Sequence, residues 1–497
     1  MSAVPFAQIP QNLRVPLFYA EVNNSRANTG QQNQRALIIG QITSTGVAAA
    51  NVPVISQGAA DAITQGGNGS QLALMTATYL QNDSFGEVWY LPLADAVGAV
   101  AATGSIDFTA APTFAGVLSL YIAGQLVAFP VTAAETAVSI ATGLVAAINA
   151  IPSLPVTAAV DSVTTSQVDL TAKNKGLAGN DIDIRVNYRG TAAGEVTPVG
   201  LTYTIVPMTG GATNPTLTTA LANLQEMPFD FIVCPYTDAT SLAALTALLN
   251  DQTGRWSWAT QVYGHCFTAL RGTFSALGTA GTALNDQHTS MMGFYDSPTP
   301  NWQWAAAFAG AAAVSLRADP GLPLQTLALA GVQAPPLPSR FNLSERNTLL
   351  FDGISTFTVA QDGTVAIENA ITTYQRNGFG QPDNSYLEVE TLFLLMYVLR
   401  DMAALVTSKY SRVKLAADGT RFAPGAGIVT PSMIRADLIA EFQTLEFNGY
   451  VQNSTAFAQA LIVQQNSTNP NRVDVLWPGT LIDQLRIFAV LAQFRLQ

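Results

Sequence analysis

Short, continuous apolar runs alternate with helical stretches over much of this 497-residue chain. A strand that is apolar along its whole length is buried on both faces, which is typical of a parallel sheet covered by helices. The pattern predicts an α/β core built from two separated segments, residues 31–99 and 206–333. The runs are Ala36–Gly40, Gly86–Leu93, Phe231–Cys234, Tyr263–Ala269 and Ser290–Tyr295.

The segment between these two parts, residues 100–205, has a different character. Val117–Phe129 alternates in two runs around Ala123-Gly124-Gln125, which indicates a hairpin. Thr132 and Glu135 have the spacing of a capping box, so a helix is expected to begin there. Further alternating runs follow, and the segment is predicted to be a β-rich domain inserted into the core.

A Pro-rich linker, residues 334–338, precedes a region predicted to be α+β, residues 339–472. A hairpin is expected around Asp362-Gly363, followed by a long helix over Tyr386–Tyr410. Pro431 suits the first turn of another helix. The fold class is therefore a multidomain, mixed α/β protein.

Both ends of the chain are predicted to be extended arms. Pro5, Pro10 and Pro16 exclude a helix from residues 1–30. Residues 473–497 are strand-like. Segments of this kind can add a strand to a sheet elsewhere. The side chains expected to pair in this way are Leu17, Phe18, Tyr19 and Val22 in the first arm and Ile487, Phe488, Val490 and Phe494 in the second.

Charged residues form only 11% of the chain, and the net charge is −11. Globular proteins usually contain about 25% charged residues, so much of the surface is expected to be covered by partners. An acidic chain does not attract a phosphate backbone, which argues against binding to nucleic acid. The 27 uncharged residues between Asp107 and Glu135 contain prolines and glycines and alternate like strands. We therefore expect no direct insertion into a membrane.

Motifs for catalysis, metal binding or cofactor binding are missing from the sequence, so neither an enzyme nor a bound cofactor or metal is expected. The two histidines, His265 and His288, could each approach a cysteine, Cys234 or Cys266. Neither pairing has a recognisable signature. An enzyme using His265 or Cys234 on the 229–330 segment stays as the alternative.

One cluster of basic residues lies in the long helix and just beyond it: Arg400, Lys409, Arg412 and Lys414. Half of the four lysines are here. The cluster is either an ordinary solvated helix end, where the dipole favours cations, or a patch that docks an acidic partner.

Several segments together resemble the contractile tail sheath proteins of bacteriophages, most closely the Mu-like type. They are spread along the chain: Arg14–Glu21, Ser25–Ala27, Ala36–Gln41, Gly86–Leu93, Lys175–Asn180, Asp362–Ile367 and Ile371–Tyr374. The resemblance implies an α/β core near a tail tube, β-rich domains inserted on the outside, and arms that add strands to a sheet in neighbouring subunits.

The resemblance also implies a function. The chain would be a structural subunit that forms hexameric rings stacked into a helical tube, and contraction would drive the tail tube through the bacterial envelope. The other partners would be a baseplate and a tail terminator. The protein would belong to the virion and assemble in the host cytoplasm. The basic cluster would face the tube. A non-viral contractile injection system is the alternative from the same class.

Overall fold

A computed structural model describes residues 34–495. They divide into two compact units: residues 34–393 together with 484–495, and residues 394–483. The first unit contains a six-stranded sheet and an inserted β-rich module. The second contains helices and three two-stranded sheets.

The first part of the core begins with a strand that is buried at every position. The elements, in chain order, are β1 (Ala36–Gln41), β2 (Val54–Ile55), α1 (Ala59–Gly66), α2 (Gln71–Asn82) and β3 (Val88–Leu93). The loop between the helices contains Gly67, whose φ of 88° lies in the left-handed region. A Cβ there would lie 2.0 Å from Thr43 Oγ1, so the tight turn requires glycine.

The inserted module consists of two sheets and a helix. Its elements are β4 (Thr103–Ala110), β5 (Gly116–Ile122), β6 (Gln125–Val131), α3 (Ala137–Asn149), β7 (Val156–Val160), β8 (Gln167–Ala172), β9 (Ile184–Val186) and β10 (Thr202–Thr209), with 3₁₀ turns at Leu177–Asp181 and Thr191–Ala193. The sheet orders are β10-β4-β8-β7 and β6-β5-β9. The module encloses its own apolar core, in which Ile140 and Leu144 of α3 are fully buried.

Two details of the module differ from the sequence prediction. The predicted capping box is only half formed: Glu135 Oε2 accepts from Thr132 N at 2.9 Å, but Ala134 has a φ of 59°, so Thr132–Glu135 form a turn and no helix begins there. The helix begins at Ala137, where Thr136 caps it by accepting a hydrogen bond from Ser139 N at 3.2 Å. The predicted boundary at residue 205 falls inside β10, which pairs with β4 as far as Thr209.

The second part of the core completes the parallel sheet. Its elements are α4 (Thr218–Ala222), β11 (Phe231–Val233), α5 (Ala239–Leu249), β12 (His265–Arg271), α6 (Phe274–Thr282), β13 (Thr289–Phe294), α7 (Asn301–Ala318), a 3₁₀ turn (Leu337–Ser339), α8 (Leu343–Phe351), β14 (Thr356–Val359) and β15 (Val365–Asn369). Ser355, just before β14, forms a parallel β-bridge with Met292 of β13, so the β14–β15 hairpin is connected to the core sheet. This is why residues 339–393, predicted to start the C-terminal region, group with the larger unit.

The sheet order is β13-β12-β11-β1-β3-β2, and all pairs except β2–β3 are parallel. Helices α2 and α7 pack together on one face. Leu245 and Leu249 of α5 belong to the apolar cluster on the other. The predicted doubly covered parallel sheet is present, because strands such as β1 expose neither face to water.

Helix α9 (Val389–Tyr410) runs from the larger unit into the smaller one. The remaining elements are β16 (Lys414–Leu415), β17 (Ile428–Val429), α10 (Pro431–Phe447), β18 (Val451–Gln452), α11 (Ser454–Ala460), β19 (Ile462–Gln465), β20 (Val473–Leu476) and β21 (Thr480–Leu481). Pro431 opens α10, as predicted, with Thr430 as its cap. Phe442, Phe457 and Trp477 form an aromatic cluster inside this unit.

Candidate functional site

The last described residues, 484–495, form an exposed apolar segment. No strand among residues 34–495 pairs with it, although the sequence pattern predicts a strand here. Six large apolar side chains in it have 70% to 86% of their surface exposed: Leu485, Ile487, Phe488, Val490, Leu491 and Phe494. A strand-forming sequence needs a partner edge to become a strand, and within the described part of the chain this segment is paired with none.

The predicted C-terminal arm is shorter than residues 473–497. Residues Val473–Leu476 pair with β19 of the same chain, and β21 pairs with β18. Strand pairing among the described residues therefore ends at Leu481, and the stretch of exposed apolar side chains begins at Leu485. The arm residues predicted near the other end, Leu17, Phe18, Tyr19 and Val22, lie outside the described residues.

The hairpin of β19 and β20 is the open edge that resembles an acceptor. Only these two strands form the sheet within the described chain. An isolated two-stranded sheet is marginally stable, and its edges carry unpaired N–H and C=O groups. Ile462 and Leu476, which lie opposite each other, are 50% and 59% exposed. The hairpin thus offers both hydrogen-bonding groups and apolar surface to an added strand.

One arginine near the start of residues 484–495 is held by three side chains of the same unit. Arg486 Nη2 donates to Glu390 Oε2 at 2.7 Å and lies 2.9 Å from Glu388 Oε2. Its Nη1 donates to Asn369 Oδ1 at 2.6 Å. Burial raises the pKa of both carboxyl groups, Glu388 to about 7, and the nearby Arg486 opposes this change. We call these four residues the Arg486 clasp.

The predicted basic cluster is only partly brought together. Lys409 at the end of α9 pairs with Asp437 of α10 at 3.0 Å, and both remain partly exposed. Arg412 and Lys414 are exposed just beyond the helix. Arg400 is half-buried, nine residues before Lys409, which corresponds to about 13 Å along a helix axis. Lys409, Arg412 and Lys414 are the members of the predicted cluster that are exposed, and we call these three residues the basic patch.

Comparison with known proteins identifies the family. Residues 210–373 match the model of the phage tail sheath protein central domain, and residues 381–495 match that of the phage tail sheath C-terminal domain. The chain is 41% identical over 494 residues to the Mu-like prophage FluMu tail sheath protein of Haemophilus influenzae, covering 99% of each chain. It belongs to the phage tail sheath proteins.

Two solved sheath tail proteins match this chain over most of their length. That of Listeria innocua has a TM-score of 0.50 at 14% identity, with 93% of this chain and 96% of that one covered. That of Desulfitobacterium hafniense has a TM-score of 0.49 at 14% identity, with coverages of 95% and 97%. At this identity the Listeria likeness concerns the fold alone.

Membership of this family confirms the main functional prediction. A tail sheath protein is a structural subunit of a contractile tail and a component of the phage particle, and the family is not enzymatic. Within residues 34–495, no helix has the length and hydropathy that a membrane crossing requires. The same residues contain no group of three His, Cys, Asp or Glu side chains close enough to hold a metal ion.

The burial and positions of the cysteines and histidines argue against the alternative hypothesis of an enzyme. Cys234 and Cys266 are fully buried, and burial raises the pKa of both thiols, that of Cys234 to about 12. A thiol in this state is a poor nucleophile. His265 bonds to Ser290 Oγ at 2.9 Å and lies opposite Phe231, at the other end of β11 from Cys234. His288 instead bonds to Asp251, at 2.7 Å.

The crevice where a doubly wound sheet usually binds ligands is filled by the inserted module. The strand order reverses at β1, and ligands bind beyond the carboxyl ends of strands at such a point. Here Asn174 Oδ1 accepts from Gln71 N, the first residue of α2, at 2.8 Å. Asn174 Nδ2 donates to Ile42 O at 3.0 Å, and Gln41 Nε2 donates to Lys175 O at 2.6 Å. The sheath protein therefore uses this position as a joint.

Sequence reasoning missed both the Arg486 clasp and the Asn174 joint. Arg486 and Glu390 are 96 residues apart, and Asn174 and Gln71 are 103 apart. The one available signal is the Glu388-Val389-Glu390 sequence at the start of a long helix, where two carboxylates lie close together and need a cation if buried.

Proposed function

We propose that this sheath protein assembles by strand donation into rings of six subunits, stacked as a helical tube around a tail tube. Contraction of that tube then drives the tail tube through the bacterial envelope. The other partners are a baseplate and a tail terminator, and assembly takes place in the host cytoplasm. The observation that carries the proposal is the exposed, unpaired apolar segment at residues 487–495.

Strand donation fits both the segment and its acceptor. Residues 487–495 of one subunit would add to an open edge of the β19–β20 hairpin in a neighbour, where main-chain hydrogen bonds hold an added strand. A donor and an acceptor at different places on the same subunit make a head-to-tail contact, and such contacts generate rings or helical filaments. Leu17, Phe18, Tyr19 and Val22 are proposed to donate a second strand.

The contact with the tail tube is proposed to use the basic patch. Arg412 and Lys414 are exposed, and Lys409 keeps 43% of its side chain exposed despite its ion pair. On a chain with a net charge of −11 such a patch is unusual. Complementary charge favours an acidic partner and sets the orientation of docking. Arg400, which is half-buried, is the weakest member of the set predicted from the sequence.

The test of strand donation is a deletion that leaves the rest of the subunit unchanged. Removing residues 487–497 keeps Arg486 in place, and this variant should remain unassembled. Removing residues 1–22 tests the other arm in the same way. Negative-stain microscopy and sedimentation measure tube formation.

A point-substituted pair of variants provides the control. Replacing Ile487, Phe488, Val490 and Phe494 with Ser should abolish tubes as the deletion does. The matched control replaces four exposed apolar residues of the inserted module with Ser: Phe114, Val163, Val196 and Val199. The control should assemble normally. Tubes of normal length and number from the arm variants would refute strand donation.

A further inference from the structure

Two carboxylates lie at the beginning of α9, one fully buried and the other largely buried. The side chain of Glu390 is 0% exposed and that of Glu388 is 19% exposed. Taking a carboxylate out of water is costly unless a cation and hydrogen bonds compensate for the lost hydration. What supplies that compensation determines which parts of the subunit are held together here.

Most of the compensation comes from the root of the C-terminal arm. Arg486 is the one cation within ion-pair distance of either carboxylate in the part of the chain that the structure describes. Leu324 N donates to the second oxygen of Glu390, and Asn369 accepts from Arg486. A guanidinium presents several donors in a fixed plane, so contacts to several acceptors also fix its direction.

Exposure changes abruptly after this residue. The Arg486 side chain is 14% exposed, whereas Ile487 and Phe488 are 84% and 82% exposed. The chain is thus attached at one position and unattached at the next. The neighbouring large apolar residues share this exposure, and none of them contributes to an apolar core.

We infer that Arg486 is a positioning residue, which anchors the root of the C-terminal arm to its own subunit and defines residue 487 as the start of the donated strand. This inference rests on the proposed strand donation. An extended strand spans about 3.3 Å per residue, so residues 487–495 reach roughly 30 Å from the anchor. The anchor therefore sets both the point about which the arm turns and the distance at which a neighbour can receive it.

The two ends of the arm should behave differently during contraction. Opening the clasp would leave the fully buried carboxylate of Glu390 without its cation, which is strongly unfavourable. Turning about the bond after Arg486 breaks none of these contacts. Re-packing of subunits should therefore take place with the clasp closed.

The mobility of the arm can be measured next to the clasp and far from it. Cys234 and Cys266 are buried, so a cysteine introduced at an exposed position can be labelled selectively with a nitroxide. Labels at Phe488→Cys and Phe494→Cys report the near and the far position by electron paramagnetic resonance. The full-length subunit is used below the concentration at which it assembles. We expect slower motion at 488 than at 494.

Arg486→Gln should raise the mobility at 488 to that at 494. Arg495→Gln removes the same charge from the same segment and is the matched control, since the structure shows no contact of the Arg495 side chain within residues 34–495. It should leave the mobility at residue 488 unchanged. Unchanged mobility at 488 in R486Q would overturn the inference. If R486Q does not fold, the triple variant R486Q/E388Q/E390Q removes the buried charges together and carries the same prediction.

A chemical denaturation curve distinguishes anchoring from general stability. A purely structural role would change the midpoint without a selective change at residue 488, whereas Arg486→Lys should partly restore slow motion there. The two proposals fail differently. Tubes from the 487–497 deletion would refute strand donation. If the deletion prevents assembly but the label mobility at residue 488 is unchanged in R486Q, only the anchor inference is refuted.

Discussion

Replacing Glu388 with Gln should change how the stability of the sheath subunit depends on pH. Burial raises the pKa of Glu388 from 4.5 to about 7, with Arg486 opposing and Glu390 adding to the change. A carboxyl group whose pKa is raised by folding stabilises the folded state below its unfolded pKa. That contribution is lost as the pH rises through the folded value. Wild type should therefore lose stability, relative to Glu388→Gln, between about pH 4.5 and 7.

The size of this effect follows from the same pKa values. Each pKa unit corresponds to about 1.4 kcal/mol, so the change from 4.5 to about 7 corresponds to roughly 3 kcal/mol as an upper limit. The side chain keeps 19% exposure, which leaves some of its hydration in place and reduces the value. Urea denaturation at pH 5, 6.5 and 8 measures the difference, with tryptophan fluorescence as the signal.

Five of the six tryptophans, including the buried Trp302 and Trp304, lie in the unit that contains Glu388, so the signal reports mainly the unfolding of that unit. Glu226→Gln removes one charge at an exposed position and reports the general effect of lowering the charge of an acidic chain. A difference between wild type and Glu388→Gln that stays constant across this range would refute the reasoning. The reasoning would also be refuted if wild type became more stable relative to Glu388→Gln as the pH rises.

Three further outcomes are expected. Leu144→Ala creates a cavity in the core of the inserted module and should lower the free energy of unfolding by about 2–5 kcal/mol, measured by calorimetry. Asn174→Ala leaves Gln71 N without its acceptor and should increase hydrogen exchange at the start of α2. Charge reversal of Lys409, Arg412 and Lys414 to Glu should weaken co-sedimentation with the tail tube protein while tubes of sheath alone still form.

Each of these variants has a control that isolates its cause. Val138→Ala shortens an exposed side chain on the same helix as Leu144 and should change stability little. For Asn174, exchange at the start of α5, which lacks this contact, should stay constant. Arg189→Glu with Arg376→Glu reverses exposed charges away from the basic patch. If this control weakened tube binding as much as the patch variant, a specific docking site would be ruled out.

The sequence predicts the sheet well because the apolar run within each strand is enough to indicate that the strand is buried. The side chains of β1 are apolar along the strand, and such a run fits only a strand covered on both faces. The limits of the arm could not be read in the same way. Val473–Leu476 and the segment after Arg486 look alike as sequence, but the first finds β19 in its own chain and the second finds no partner among the described residues. Pairing over long separations decides between them.

Several of the few charged residues in the larger unit form ion pairs that join its segments. Arg271 of β12 holds Asp181 of the inserted module at 3.1 Å, and Arg185 of the module reaches Asp296 of the core at 2.9 Å. Arg486 attaches the arm by the same means. Glu390 in the Arg486 joint is fully buried, so opening that joint would leave an expensive unpaired charge. A subunit joined in this way keeps its inserted module and the root of its C-terminal arm attached to the core, while the residues beyond Arg486 are left to reach a neighbour.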